Sequence, residues 1–258
     1  MREPVRGIIH VHSDFSSDGL HSVADLADFA RESGFRFVGL TDHAEDLSVQ
    51  DMESLCHECE TNSDESCVVI PGLEFCCTED IHILGLGIAR EIISTDPNVV
   101  AREIQARGGL AILAHPCRNG FKFPVELFHV VNGIEIWNAA YDGRFVPPLG
   151  NLRLFQEART LNTSIMGFGG ADLHGFHRPP GVFLELTISG TNQMDAEMVL
   201  QGLGRGGFSV CGKYLRFRPN NELNGMIRFP LWAFRKVYEF TKAIRDLTLG
   251  GTRGFEAP

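Results

Sequence analysis

Six short apolar runs in this chain each end in a histidine or a carboxylate: Gly-Ile-Ile-His10-Val-His12, Phe-Val-Gly-Leu-Thr-Asp-His43, Val-Val-Ile-Pro-Gly-Leu-Glu74, Ala-Ile-Leu-Ala-His115, Gly-Ile-Glu135-Ile-Trp-Asn138 and Gly-Phe-Gly-Gly-Ala-Asp172-Leu-His174. Continuous apolar runs of this length read as strands buried on both faces, as in parallel sheets covered by helices. In α/β barrels the working side chains sit where such strands end. The pattern therefore predicts a fold that gathers imidazoles and carboxylates at one mouth. Nitrogen and oxygen donors with no thiolate among them suit Zn, Mn or Fe in a hydrolytic centre better than a structural thiolate site.

One histidine at a strand end is more often a hydrogen-bonded structural residue than a ligand; six at the same topological position reverse that expectation. His10 and His12 stand two apart on a strand, so both imidazoles project from one face. Asp18 lies in the turn sequence Ser-Ser-Asp-Gly, from which its carboxylate can fold back over the same mouth. Thr-Asp42-His43 closes the second strand, and Glu74 follows Pro-Gly in the third.

Between these runs the sequence alternates. Ser22-Val-Ala-Asp25 is a capping box, with helical spacing through Val23, Leu26, Ala27 and Ala30 and a stop at Gly34. Strands are expected over Phe35 to Leu40, Val68 to Phe75 and Asp80 to Ile88, with a weaker helix inside residues 45–66. Asp96-Pro97 opens a helix that Gly108-Gly109 closes. Later strands follow at Leu110 to Ala114, Gly133 to Trp137, Ser164 to Phe168 and Val182 to Ile188, with a helix near Leu152 to Leu161. Residues 230–247 place Val237, Phe240, Ile244 and Leu247 on one helical face, expected to pack on the barrel. The organisation is one barrel domain over residues 1–212 and a C-terminal segment, 213–258, with an amphipathic helix.

The formal net charge of -10 argues against duplex nucleic acid as a partner. It does not exclude an anionic substrate, because divalent ions would reverse the local field. No run is long enough to span a membrane, and the N-terminus enters an apolar strand with no signal-peptide pattern. Seven cysteines, an odd number, read as reduced cytoplasmic thiols rather than a disulfide set. Cys76 falls on the strand face of Glu74 and so points toward the proposed site. Oligomeric state has no signature in the sequence.

Taken together, His-Val-His-Ser-Asp-Phe-Ser-Ser-Asp-Gly, Thr-Asp-His, Pro-Gly-Leu-Glu, Ile-His-Ile-Leu-Gly, Ala-His-Pro-Cys-Arg, Gly-Ile-Glu-Ile-Trp-Asn and Ala-Asp-Leu-His resemble the ordered motifs of the polymerase and histidinol phosphatase (PHP) superfamily, over residues 7 to about 175. The resemblance implies an α/β fold, a distorted (β/α)7 barrel, with two or three divalent ions and phosphoesterase activity on a small phosphorylated substrate such as a nucleotide, sugar phosphate or oligonucleotide end. Carried over by position, the ligands are His10, His12, Asp18, His43, Glu74, His82, His115, Asp172 and His174. The first ion takes His10, His12, Glu74 and Asp172; the second takes Glu74, His82 and His115; the third takes Asp18, His43 and His174. Glu74, His82 and His115 act in catalysis through a bridging hydroxide. Arg118, His177 and Arg178 are candidate substrate contacts, and Glu135 and Asn138 candidate supports. The same scaffold admits a histidinol-phosphate phosphatase, a protein-tyrosine phosphatase, hydrolysis of a C-N bond, or a non-catalytic metal-stabilised module. The short interval between His82 and His115 leaves little room for a lid, which implies an open mouth.

Overall fold

A computed structural model describes residues 4–175, 180–188 and 194–220, together with Ala233, residues 235–238, Phe240 and Thr241. In chain order the elements are β1 (Val5–Val11), α1 (Val23–Glu32), β2 (Phe37–Leu40), β3 (Asp42–His43), α2 (Val49–Thr61), β4 (Val68–Ile70), β5 (Gly72–Cys76), β6 (His82–Leu86), α3 (Pro97–Ala106), β7 (Leu110–Leu113), β8 (Gly133–Asn138), α4 (Ala139–Asp142), α5 (Leu149–Leu161), β9 (Met166–Gly170), β10 (Val182–Leu186), α6 (Ala196–Gly204), β11 (Phe208–Gly212) and β12 (Arg216–Phe217). The strands form two six-stranded sheets, in the orders β12-β11-β10-β1-β2-β4 and β3-β5-β6-β7-β8-β9. The chain divides into two compact units, Met1–Asn221 and Glu222–Pro258. In the second unit the described residues are helical, and Ile244 and Leu247 of the expected apolar stripe lie outside the described residues.

Local signals set the helices. Ser22 and Asp25 close a capping box on α1, Ser48 and Asp51 close another on α2, and the Asp96 carboxylate accepts from the Asn98 amide one residue past Pro97 at the start of α3. The buried stripes Val23, Leu26, Ala27, Ala30 on α1 and Pro97, Val100, Ala101, Ile104 on α3 recur at helical spacing. In α3 that stripe packs on β6 and β7, so the helix between His82 and His115 covers the sheet.

The sheets depart from a simple parallel alternation. β6 runs antiparallel to both of its neighbours, β5 and β7, and each successive pair along β1, β10, β11 and β12 is antiparallel. Only residues 77–81 join β5 to β6, and a parallel pair needs a crossover of about a dozen residues or more. The expected third strand is two strands in different sheets, because Pro71 has no N–H to donate to a ladder. Its carbonyl still accepts from the Gly87 amide at 2.8 Å.

The sheets meet at seams that carry site residues. Thr41 alone separates β2 from β3, and its amide bonds the Val11 carbonyl at 2.9 Å. On the opposite side the segment after β9 runs along β1: Ala171 donates to Ile9 at 2.9 Å, Leu173 to His10 at 3.2 Å, and His12 back to Leu173 at 2.9 Å. This stitching sets Asp172 and His174 beside His10 and His12.

Candidate metal centre

His10 and His12 converge, with ring centroids 5.3 Å apart, but not by simple strand alternation. The β1–β2 register shifts between Ile9 and Val11, and His10 lies inside the shift at φ 62°. A bulge of this kind re-aims a side chain. His115 after β7 has φ 24° and Asp172 after β9 has φ 49°. Three candidate ligands therefore hold left-handed backbone, at a cost of about 1–3 kcal/mol each that the surrounding structure offsets.

All nine donor residues are brought together. Glu74, at the centre of β5, faces two groups with its two oxygens. Oε1 lies 2.8 Å from His82 Nδ1 and 2.9 Å from His115 Nε2, and Oε2 lies 3.4 Å from His10 Nε2 and 3.5 Å from both His12 Nε2 and His43 Nδ1. Asp172 Oδ1 is 3.6 Å from His10 Nε2 and 3.6 Å from His174 Nδ1. Asp18 Oδ2 stands 3.0 Å from His174 Nε2 and 3.5 Å from His43 Nε2, so the turn does fold back. Donor atoms that lie together on a scale suited to an ion are those of His10, His12 and Glu74; Glu74, His82 and His115; His10, His115 and Asp172; and His12, Asp18, His43 and His174.

Buried polar atoms almost always find a partner. Among the described residues, His10 Nε2, His12 Nε2, His43 Nδ1, His82 Nε2 and His115 Nδ1 are buried with no hydrogen-bond partner. Two donors each about 2.0–2.1 Å from one tetrahedral ion lie about 3.4 Å apart, close to several spacings around Glu74 and Asp172. The donor set thus fits divalent ions. Charge is strongly coupled across the cluster. Burial opposes charge on His10, yet Asp172, Glu135 and Glu74 raise its pKa well above the usual imidazole value. Burial likewise opposes charge on Glu74, but His10 and the bonds from His10, His115 and His82 hold it well below the carboxylate range. His12 is pushed the other way, by burial and by its neighbour His10.

The supports are buried and specific. Glu135 Oε1 bonds His10 Nδ1 at 2.8 Å, and Oε2 accepts from the His115 amide at 2.7 Å and from Asn138 Nδ2 at 2.9 Å. Asn138 Nδ2 also reaches Asp172 Oδ2 at 3.0 Å. Glu135 and Asn138 are fully buried, and their bonds to His10, His115 and Asp172 hold these donors in orientation. Gly170 belongs to this arrangement, since a Cβ there would collide with Glu135 Oε1.

Arg118, His177, Arg178 and Cys76 remain among the expected residues. Arg118 is not free at the mouth: Nε and Nη2 bond the two oxygens of Asp80 at 3.0 and 2.9 Å. His177 and Arg178 lie outside the described residues. Cys76 lies at the exposed end of β5, paired in register with His82, and all seven cysteines are free. Three residues had no assigned role. Asp42 accepts from the Ser13 amide and hydroxyl at 2.7 and 2.8 Å and from the Ser16 hydroxyl at 2.8 Å, while Ser16 Oγ accepts from the His43 amide. Burial outweighs these bonds and raises the Asp42 pKa. Tyr141 sets its ring 4.9 Å from that of His115, and Asp80 Oδ1 is 3.4 Å from His82 Nε2. Asp42 sits in the quoted Thr-Asp-His run and Asp80 two positions before His82, signals of adjacency that gave no direction.

Comparison with solved structures returns this fold at low sequence identity. A two-domain protein from Bacteroides vulgatus ATCC 8482, containing a predicted PHP-like metal-dependent phosphoesterase, is 17% identical with a TM-score of 0.57, over 82% of this chain and 66% of that one. PsfC from Pseudomonas syringae PB-5123 is 16% identical with a TM-score of 0.61, over 93% of this chain and 99% of that one. A candidate metal-dependent phosphoesterase from Bifidobacterium adolescentis ATCC 15703 is 18% identical with a TM-score of 0.52, over 80% and 98%. Comparison with curated proteins finds no match. The PHP domain model matches residues 9–159, from the bulged strand through α5 and including seven of the nine donors, all but Asp172 and His174. More than half of the sequence, with five of its six strand-end motifs, thus follows one pattern, and the chain belongs to the PHP domain family.

Proposed function

We propose that this chain is a metal-dependent phosphoesterase acting on a small phosphorylated substrate, with its two sheets forming the distorted barrel of the family. The observation that carries the reading is the two-sided carboxylate of Glu74: three buried imidazole nitrogens without hydrogen-bond partners among the described residues, those of His10, His12 and His43, surround one oxygen, and His82 and His115 meet the other. Two or three divalent ions, Zn, Mn or Fe, would be held by His10, His12, Glu74 and Asp172, by Glu74, His82 and His115, and by Asp18, His43 and His174. When bound, such ions lower the pKa of water toward neutrality and offset charge developing on a phosphoryl group.

The chain's own residues define the rest. Glu74 has one oxygen toward each of the first two groups, which supports a bridging role. Glu135 fixes His10 through Nδ1 and leaves Nε2 for a ligand bond, as outer partners of metal-bound histidines do. Exposure is graded across the centre. Glu74 is 2% exposed and His10 fully enclosed, whereas Asp18 is 50% and His174 34% exposed, so substrate would approach from the Asp18, His43 and His174 side. Arg118 would contact phosphate by exchanging Asp80 for it, at the rim beside Tyr141. The free cysteines support a reducing, cytoplasmic setting.

The test is a phosphatase screen on metal-loaded protein with nucleoside mono- and bisphosphates, cyclic phosphates, short oligonucleotides, histidinol phosphate and a phosphotyrosine peptide. Turnover of small phosphomonoesters that chelation abolishes supports the reading. Failure on every substrate despite bound metal would leave the non-catalytic module in its place.

A further inference from the structure

Three donors stand together on the outer side of His82. Cys76 and His82 face each other across the β5–β6 pair, and Cys76, Asp80 and His82 present one donor atom each on a scale suited to an ion. Cys76 is exposed and Asp80 half exposed, but His82 is 4% exposed and its Nε2 has no partner. That nitrogen points to Asp80 Oδ1 at 3.4 Å, while Nδ1 of the same ring faces Glu74 at 2.8 Å. The turn reinforces the arrangement, with Glu79 at φ 61° and Asp80 at φ 57° bringing the carboxylate back over the ring.

We propose that Cys76, Asp80 and His82 form a separate rim site for a thiophilic divalent ion, competing with the Glu74 cluster for His82. A thiolate, an imidazole and a carboxylate with an open fourth position suit Zn²⁺ or Cd²⁺ and are a poor match for Mn²⁺. Binding transfers the Cys76 thiol proton to solvent as the sulfur–metal bond forms. A neutral imidazole has one lone pair to give, so His82 serves either the Glu74 cluster or the rim. Occupation also takes Asp80 from Arg118 and frees that guanidinium. The competition rests on the metal reading of the Glu74 cluster given above; the rim site does not.

Cd²⁺ alone, added to full-length metal-free protein, tests this without substrate. The wild type should develop a thiolate-to-cadmium charge-transfer band, and Cys76→Ser should lose it. Alkylation of Cys76 by iodoacetamide, mapped by mass spectrometry, should slow by about tenfold or more with Cd²⁺, because the reagent needs a free thiolate. Asp80→Asn should weaken that protection although Asp80 lies outside the Glu74 cluster. An unchanged band in Cys76→Ser, or protection that survives in Asp80→Asn, overturns the site. A chain that shows band and protection but hydrolyses no phosphoester keeps the rim site and loses the phosphoesterase reading.

Discussion

In α1 and α2 a serine and an aspartate three residues apart satisfy each other's backbone donors, and every cap follows local preference. At the mouth the opposite holds: His10, His115 and Asp172 adopt left-handed backbone without being glycine, and five buried imidazole nitrogens have no hydrogen-bond partner among the described residues. The helices are stabilised by contacts the chain makes with itself. The mouth is complete only with something the chain does not encode. A protein can hold such a region because the surrounding sheets fix it, and departures from local rules collect where function is built.

This contrast gives its own tests. The largest effect belongs to Glu74→Gln, which removes a charge facing two donor groups: turnover should fall by several orders of magnitude with helical circular dichroism retained. Near-normal activity in that variant would remove Glu74 from the bridging position. Next comes chelation. An ion present at a thousandfold excess over its dissociation constant contributes about 4 kcal/mol to stability, so metal-stripped protein should melt well below the loaded form, and scanning calorimetry on both reads the difference.

Glu135→Gln should lower metal affinity by about 10–100-fold through misorientation of His10, measured by competition with a coloured chelator. An unchanged affinity would reduce Glu135 to packing. In the helical shell, Ser48→Ala should cost about 1 kcal/mol equally in loaded and stripped protein, since its cap is remote in chemistry from the ions. A cost that depends on metal would show that the two regions are coupled.

The smallest effect concerns Asp64, just past α2. The Ser66 hydroxyl, with the Cys67 and Ser66 amides and Arg31, lowers its pKa to about 2. Because the folded value lies below the unfolded one, its contribution is present above about pH 4 and is lost as pH falls toward 2. The melting difference between wild type and Asp64→Asn should therefore shrink over that window, and a difference constant with pH would refute the sign.

Short-range information was enough to mark most of the residues that gather at the mouth. Apolar runs ending in His or a carboxylate, and capping residues at fixed offsets, are local patterns; the runs marked seven of the nine donors, the family resemblance added Asp18 and His82, and all nine converge. Their roles in relation to each other were less readable. Glu135 and Asn138 end a strand like the ligands, yet burial behind His10 makes them supports. Arg118 follows His115 like a phosphate contact, yet Asp80, far away in sequence, holds its guanidinium.

The sequence by itself determined the donor types, the strand and helix order and the family pattern, because each depends on residues within a turn or a strand of one another. Tertiary structure alone decided that the strands on either side of Pro71 join different sheets, and that the segment after β9 stitches Asp172 to the bulge at His10. Those outcomes depend on which edges remain available for hydrogen bonding once the other strands have paired. No local pattern encodes that, since a backbone amide carries the same donor whichever strand lies opposite.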